Sequence, residues 1–227
     1  MPLRASVMKN TSSPPPPIRA SLHAHLLAGA DELGIALDRE QSEKLIDYVE
    51  LLARWNATYN LTAVRDPDEM VTRHLLDSLA IAPFVRGDSL VDLGTGAGLP
   101  GIPLALLDER RAITLVDSNG KKTRFLREAV RVLGLRNARV EQARAEDLKG
   151  LFDCVVARAF ASLADFLRVG GHLLAPAGTC LAMKGQLDRD EILGLPAGFV
   201  IRETVPLAVP GLGAARHVVI IQHSDTQ

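Results

Sequence analysis

Cysteine is scarce in this 227-residue chain: there are two, Cys154 and Cys180, both inside apolar runs. That count excludes a disulfide framework and points to buried, reduced thiols. Aromatic residues are scarce as well, with one Trp and two Tyr, too few for a platform that stacks a row of bases. Trp55 and Tyr59 are therefore expected in a core. No unbroken apolar run reaches membrane-spanning length, and no signal-peptide core stands near the start. Net charge is also nearly absent, at −1, which argues against a generic polyanion binder. The expectation is a soluble cytoplasmic protein with no membrane partner. No apolar surface stripe stands out, so a monomer is expected.

What is present is enough apolar material, 47% of residues, for one large domain or a domain with a small cap. Residues 1–19 are polar and contain Pro14-Pro15-Pro16-Pro17; such a stretch cannot bury enough surface to fold and is expected to be disordered. Residues 20–86 read as a helical cap. Leu22–Leu33 is helical in pattern. A stronger helix starts at Asp38 or Arg39 and runs to about Asn56, with Leu45, Ile46, Val49, Leu52 and Trp55 at helical spacing. Asn60-Leu61-Thr62 is a break. Asp66-Pro67-Asp68-Glu69 opens the next helix, with Asp as N-cap and Pro in the first position. On that helix His74, Asp77 and Ser78 share one face.

From residue 87 the pattern changes, and strand-like runs alternate with helical ones. The strands are Leu90–Leu93, Ile113–Val116, Arg139–Gln142, Phe152–Val156 and Leu173–Lys184; the helices are Ile102–Leu107, Thr123–Leu133 and Leu163–Val169. This alternation predicts a doubly wound parallel sheet. Two further strands, Phe199–Leu207 and Arg216–Gln222, are joined by a linker too short for a crossover helix. They are expected to form a hairpin that places an antiparallel strand at or next to the sheet edge.

The most informative stretch is Val91-Asp92-Leu93-Gly94-Thr95-Gly96-Ala97-Gly98-Leu99-Pro100-Gly101. Strand, glycine turn and helix follow one another, the arrangement that brings backbone N–H groups up to a nucleoside cofactor. Gly96 to Gly101 matches G-x-G-x-x-G, and Asp117 ends the next strand where an acid reads ribose hydroxyls, so the pattern alone leaves NAD open. Three features favour S-adenosylmethionine. Asp92 lies inside the strand, where it can order the loop or hold an ammonium. The glycine series begins directly off the strand at Gly94. The closing strand pair suits the methyltransferase sheet. There is also no second substrate domain and no hydride-handling constellation. The expected fold is thus α/β: a doubly wound, mostly parallel seven-stranded sheet, Rossmann-like and S-adenosylmethionine-dependent, with an N-terminal helical cap.

Longer motifs narrow this further. They are Trp55-Asn56, Tyr59-Asn60-Leu61-Thr62, Arg65-Asp66-Pro67, Arg73-His74-Leu75-Leu76-Asp77-Ser78, the extended loop Asp92 to Leu104, Leu115-Val116-Asp117-Ser118, Arg158-Ala159-Phe160-Ala161-Ser162-Leu163 and Lys184-Gly185-Gln186. In these motifs the chain resembles the RsmG (GidB) family of bacterial small-subunit ribosomal RNA methyltransferases, from the cap helices to Ile221. The resemblance implies methyl transfer from S-adenosyl-L-methionine to N7 of a guanine in 16S rRNA, leaving S-adenosyl-L-homocysteine. It also implies cofactor contacts at Gly94, Leu99, Ala145, Glu146 and Arg158.

Guanine N7 carries a free lone pair, so no general base, catalytic triad or metal site is expected. Alignment of the reactants is the expected mechanism, with guanine positioned by Arg158 and His74. Sheet geometry assigns Gly94, Gly96 and Gly98 to the amino-acid part of the cofactor, Asp117 to the ribose, and Ala145-Glu146 to the adenine. Without the resemblance, Glu146 is equally well an exposed surface acid. For His74 the readings are a satisfied helix residue, an RNA contact and, last, an acid/base group. Asn60, Arg65, Arg73 and His74 are candidates for the cap side of an RNA site, and Lys184 for a phosphate.

The window from Asn119 to Arg144 holds eight basic residues and two acidic ones, so the near-neutral total hides a positive segment. Lys121, Arg124, Arg127 and Arg131 recur at spacings of three and four, a face able to follow an RNA backbone; the ordinary reading of such a face is solvated charge. The expected partner is 16S rRNA or the 30S subunit. A small-molecule methyltransferase, which needs no basic helix, and a non-catalytic assembly factor are the competing functions.

Overall fold

The structure is a computed structural model, and it describes residues 17–186, 191–192 and 194–224. The stretch expected as a tail lies outside the described residues up to position 16, whereas Ile18 and Arg19 already belong to α1, Pro17–Glu32. Arg19 joins α1 to α2, Arg39–Tyr59, through Glu43, Asp47 and Glu50 at 2.8, 2.8 and 2.9 Å.

Helix α2 begins in a reciprocal capping box. The Asp38 carboxylate accepts from the Gln41 backbone N–H at 2.7 Å, and the Gln41 side-chain oxygen accepts from the Asp38 N–H at 3.0 Å. It runs past Asn56 because Trp55 and Tyr59 continue its apolar side, their rings 5.2 Å apart. It ends where Asn60 turns left-handed at φ 51°. Asp66 caps α3, Pro67–Met70. The periodicity reads one continuous helix from there, but the backbone widens into a π-helical segment, Val71–Leu76, before α4, Asp77–Leu79. Such a wide turn is common at functional sites, and here it carries Arg73 and His74.

The remaining elements are β1 (Ser89–Leu93), α5 (Gly101–Leu107), β2 (Ala112–Val116), α6 (Gly120–Val132), β3 (Ala138–Glu141), β4 (Phe152–Arg158), α7 (Leu163–Gly170), β5 (Leu174–Lys184), β6 (Phe199–Pro206) and β7 (His217–His223). The strands form one seven-stranded sheet in the order β3-β2-β1-β4-β5-β7-β6. β7 runs antiparallel to both of its neighbours, so the expected hairpin is present, with its second strand inserted next to the edge.

One apolar core continues from the expected cap into the sheet: Leu45, Ile46 and Tyr48 of α2 share it with Ile102 of α5 and Phe125 of α6. On the other face, α7 packs Phe166 and Leu167 against Val91, Leu93 and Val155. Each large side chain so buried contributes roughly 1.5–3 kcal/mol. Cys154 and Cys180 are buried free thiols, the first in the core shared with α2 and the second in the core under α7. Among the described residues no helix is long and apolar enough to cross a membrane.

The glycine loop is packed too tightly for any side chain at two positions. At Gly98 (φ +94°), an added Cβ would lie 2.4 Å from Ile102 Cδ1. At Gly101 it would lie 2.3 Å from Leu115 Cδ2 and 2.8 Å from Asp92 Oδ2. Gly101→Ala is therefore expected to destabilise the fold by about 1–3 kcal/mol through overpacking, read as a lower urea midpoint at unchanged slope. An unchanged midpoint would mean that the loop has room to give.

Candidate active site

The sheet register builds the site. Leu93 lies opposite Val116 on one side and Ala157 on the other, so the residues that follow, Asp117, Gly94 and Arg158, stand in a row at the carboxyl ends of three adjacent strands. Arg158 in turn lies opposite Met183, and Lys184 lies opposite His217. The row therefore continues to Lys184 and, just before β7, Arg216. Residues from five parts of the sequence meet along one edge, where ligands of open α/β sheets collect.

Asp92 sits under this row with its carboxylate fully buried. Oδ2 accepts from the Thr95 hydroxyl at 2.5 Å and from the Gly101 N–H at 2.8 Å, so one oxygen pins both ends of the loop. Burial raises the Asp92 pKa to about 7, against the two hydrogen bonds, which favour the charged form. Oδ1 is also buried and has no hydrogen-bond partner among the described residues. A fully buried acceptor that lacks a donor suits the ammonium of an amino-acid moiety. On the outer side the loop is open: a Cβ on Gly96 would meet only the Gly94 carbonyl, at 3.8 Å. The residues present thus fit an S-adenosylmethionine-type ligand.

Asp117 is buried beside the loop. Its carboxylate accepts from the Gly96 N–H at 3.0 Å and from the Asn119 N–H at 2.8 Å, with Lys122 Nζ 3.5 Å away. Carboxylate oxygens have further acceptor capacity, so ordering the loop leaves Asp117 able to take hydroxyl groups. From the cap side the buried Tyr48 donates to the Ala97 carbonyl at 2.8 Å. Leu99 is buried below the loop. Ala145 and Glu146 form a short 3₁₀ turn after β3, Ala145 against the core under α7 and Glu146 exposed.

At the other end of the row, Arg158 Nη1 donates to Asp77 Oδ2 and to the Arg73 carbonyl, each at 3.2 Å. Arg216 Nε donates to Asp77 Oδ1 at 3.0 Å. Asp77 is only 1% exposed, so one buried carboxylate serves two guanidiniums. His74, one turn earlier, has its Nε2 2.9 Å from Thr62 Oγ1. Burial, and after it the positive charge of Arg158, depresses the His74 pKa to about 4.

The remaining candidates are placed less uniformly. The Asn60 side-chain oxygen accepts from Arg65 at 3.0 Å on the surface. Arg73 is exposed, 4.0 Å from Glu69. Lys184, a candidate for a phosphate, directs Nζ inward to the carbonyls of Phe160 and Ala161 at 3.3 and 3.2 Å and to Glu191 at 2.7 Å. On α6, Lys121 and Arg124 are exposed, while Arg131 is taken up by both Glu128 oxygens at 2.8 and 2.9 Å.

Comparison with known proteins gives this arrangement its family. The family model described as rRNA small subunit methyltransferase G (GidB) matches residues 41–219. The chain belongs to the GidB family. Its relatives include ribosomal RNA small subunit methyltransferase G of Stenotrophomonas maltophilia strain K279a, 58% identical over 90% of this chain and 97% of that protein. Another, of the same name, is from Xanthomonas campestris pv. campestris strain B100, 53% identical over 95% of this chain and 100% of that protein. Solved structures agree in fold. A ribosomal protein L11 methylase from Lactobacillus delbrueckii subsp. bulgaricus has a TM-score of 0.53 at 20% identity, covering 66% of this chain and 77% of that one. TrmN from Thermus thermophilus has a TM-score of 0.54 at 22% identity, covering 68% and 53%.

In this GidB chain, Tyr48, Asp77 and Arg216 join the site without having been candidates from sequence. Asp77 carried a signal, its shared helix face with His74. Tyr48 reads as one more core position on α2, and only the antiparallel return of β7 brings Arg216 beside Asp77. The depressed His74 pKa has a measurable consequence. Between pH 6.5 and about 4 the unfolded chain protonates this imidazole and the folded chain does not, so stability falls as the pH falls through that window. The difference amounts to about 3 kcal/mol. His74→Gln should flatten this part of the stability profile in urea unfolding; parallel profiles for the two proteins would show that His74 titrates normally.

Proposed function

We propose that this chain transfers the methyl group of S-adenosyl-L-methionine to N7 of a guanine in 16S rRNA, acting in the cytoplasm on that RNA or on the 30S subunit. What carries the reading is its membership of a small-subunit rRNA methyltransferase family across the residues that build the site. The geometry supports it. Asp92 and the glycine loop would hold the amino-acid moiety, Asp117 the ribose, and Ala145-Glu146 the adenine. Leu99 would form the floor under the loop.

When bound, S-adenosylmethionine supplies a methyl carbon made electrophilic by its sulfonium. Guanine N7 forms the new bond with its own lone pair, the C–S electron pair stays on sulfur, and no proton leaves. The protein therefore needs no base, and His74, its pKa lowered by burial to about 4, would be a weak one. Its residues act by alignment and by exclusion of water. Arg158, held by Asp77, would take guanine O6. Arg73, Arg65 and Asn60 line the cap side, and Lys184 fixes the segment after β4. Lys121 and Arg124 meet phosphates without reading sequence.

The test is transfer of a labelled methyl group to unmodified 30S subunits and to naked 16S RNA, followed by borohydride reduction and aniline cleavage at N7-methylguanine. A single labelled site is expected. Label on small molecules alone, or in no RNA form, would overturn the reading. Lys121→Glu combined with Arg124→Glu should weaken RNA binding and lower its log–log salt slope by roughly two, at unchanged affinity for S-adenosylhomocysteine. Loss of both affinities together would point to a misfolded protein.

A further inference from the structure

The segment after β4 is held in a costly conformation. Ala159 has φ +68°, one of two non-glycine residues in the left-handed region among those described, and such strain persists where surrounding structure enforces it. The enforcement is visible. Lys184 Nζ donates to the carbonyls of Phe160 and Ala161, and its own charge is met by Glu191 at 2.7 Å. Ser162 caps α7 through the Asp165 N–H at 3.0 Å. The residue so presented is Phe160.

Its ring is half-buried. It packs near Phe166, centroids 5.6 Å apart. Its Cε2 lies 3.7 Å from the point that a Cβ on Gly94 would occupy. It therefore stands over the first residue of the glycine loop, two positions after Arg158. Tyr48, the other aromatic ring against this loop, is fully buried. Phe160 thus offers an aromatic surface to a base at the strand ends.

Methylation at N7 changes the charge of the base. The guanine enters neutral and leaves as a 7-methylguanine cation, since no proton departs. A group that gains attraction as that charge grows accelerates the step. A guanidinium does the opposite, and the buried Asp77 offsets only part of the charge of Arg158 and Arg216. The face of an aromatic ring is negative and attracts a cation.

We propose that Phe160 stacks on the target guanine and stabilises the positive charge that develops on it, with Lys184 as the residue that positions the ring. The inference rests on the reaction proposed above. Ring contact of this kind strengthens from neutral base to cationic product, so it favours the transition state over the bound substrate.

The test replaces Phe160 by phenylalanines carrying one, two and three ring fluorines, which keep the shape and drain the face of negative charge. Single-turnover methyl transfer to unmodified 30S subunits should fall stepwise, by about 5- to 30-fold in total, at constant affinity for S-adenosylhomocysteine. A second readout needs no turnover. In the S-adenosylhomocysteine complex the protein should bind methylated 30S subunits more tightly than unmethylated ones, and Phe160→Leu should abolish that preference. A flat fluorine series on an active enzyme would overturn the proposal, as would a parallel loss of S-adenosylhomocysteine affinity, which would make the ring a wall of the cofactor pocket. Absence of transfer by the unsubstituted protein to any RNA form is a different failure, that of the proposed reaction itself.

Discussion

Asp92 is a fully buried carboxylate, and the arrangement of the site depends on how it is satisfied. Burial alone disfavours its charge, and hydrogen bonds to Thr95 and Gly101 offset part of that cost. To supply them, the loop must fold back on the strand from which it came. The first residue of α5 is thereby drawn against β1 and β2, so closely that position 101 has no space for a Cβ. Ile102 then fills the hollow over Gly98, and Leu126 of α6 closes it from behind. Asp117 and Tyr48 fasten the same loop from the β2 side and from the cap. The loop is thus fixed from three directions before any ligand arrives, and its outer side stays open.

The opposite end of the row is organised by a second buried carboxylate, with different consequences. Asp77 brings Arg158 and Arg216 together and takes up part of their charge. A site that must accept a neutral base and release a cationic one benefits from cations that are already partly neutralised. The two carboxylates divide the work: Asp92 shapes backbone, and Asp77 shapes charge. Between them runs the segment from Arg158 to Ser162, anchored by Lys184 and presenting a ring toward the glycine loop.

The helical region is part of this design as well as a cover for it. α2 shares one core with α5 and α6, and its Tyr48 reaches the loop directly. The π-helical segment places the Arg73 carbonyl on Arg158 and leaves His74 buried against Thr62. Cap and sheet therefore define the site jointly, which explains why family motifs such as Arg73-His74-Leu75-Leu76-Asp77-Ser78 lie outside the sheet.

Much of this was legible in the sequence, because local chemistry decides it. Alternating apolar runs marked strands and helices, the Asp66 cap marked one helix start, and the short Pro210-to-Gly213 linker between the last two strands required a hairpin. The spacing from Asp92 to Gly101 announced the turn between β1 and α5, and Asp117 follows the end of the next strand as expected. What sequence reading left out was decided by register and by packing between distant segments. Lys184 reads as a free cation, yet its neighbours across the fold turn it inward. Arg131 reads as part of a basic face until Glu128 takes it. Arg216 gains meaning only because β7 returns antiparallel to β5, and Phe160 only because its ring comes to lie beside Gly94 after the left-handed Ala159. Periodicity and capping act over a few residues and are written in order along the chain. Which side chains share a charge, a proton or a ring face depends on strands that meet from far apart, and only the tertiary structure brings those together.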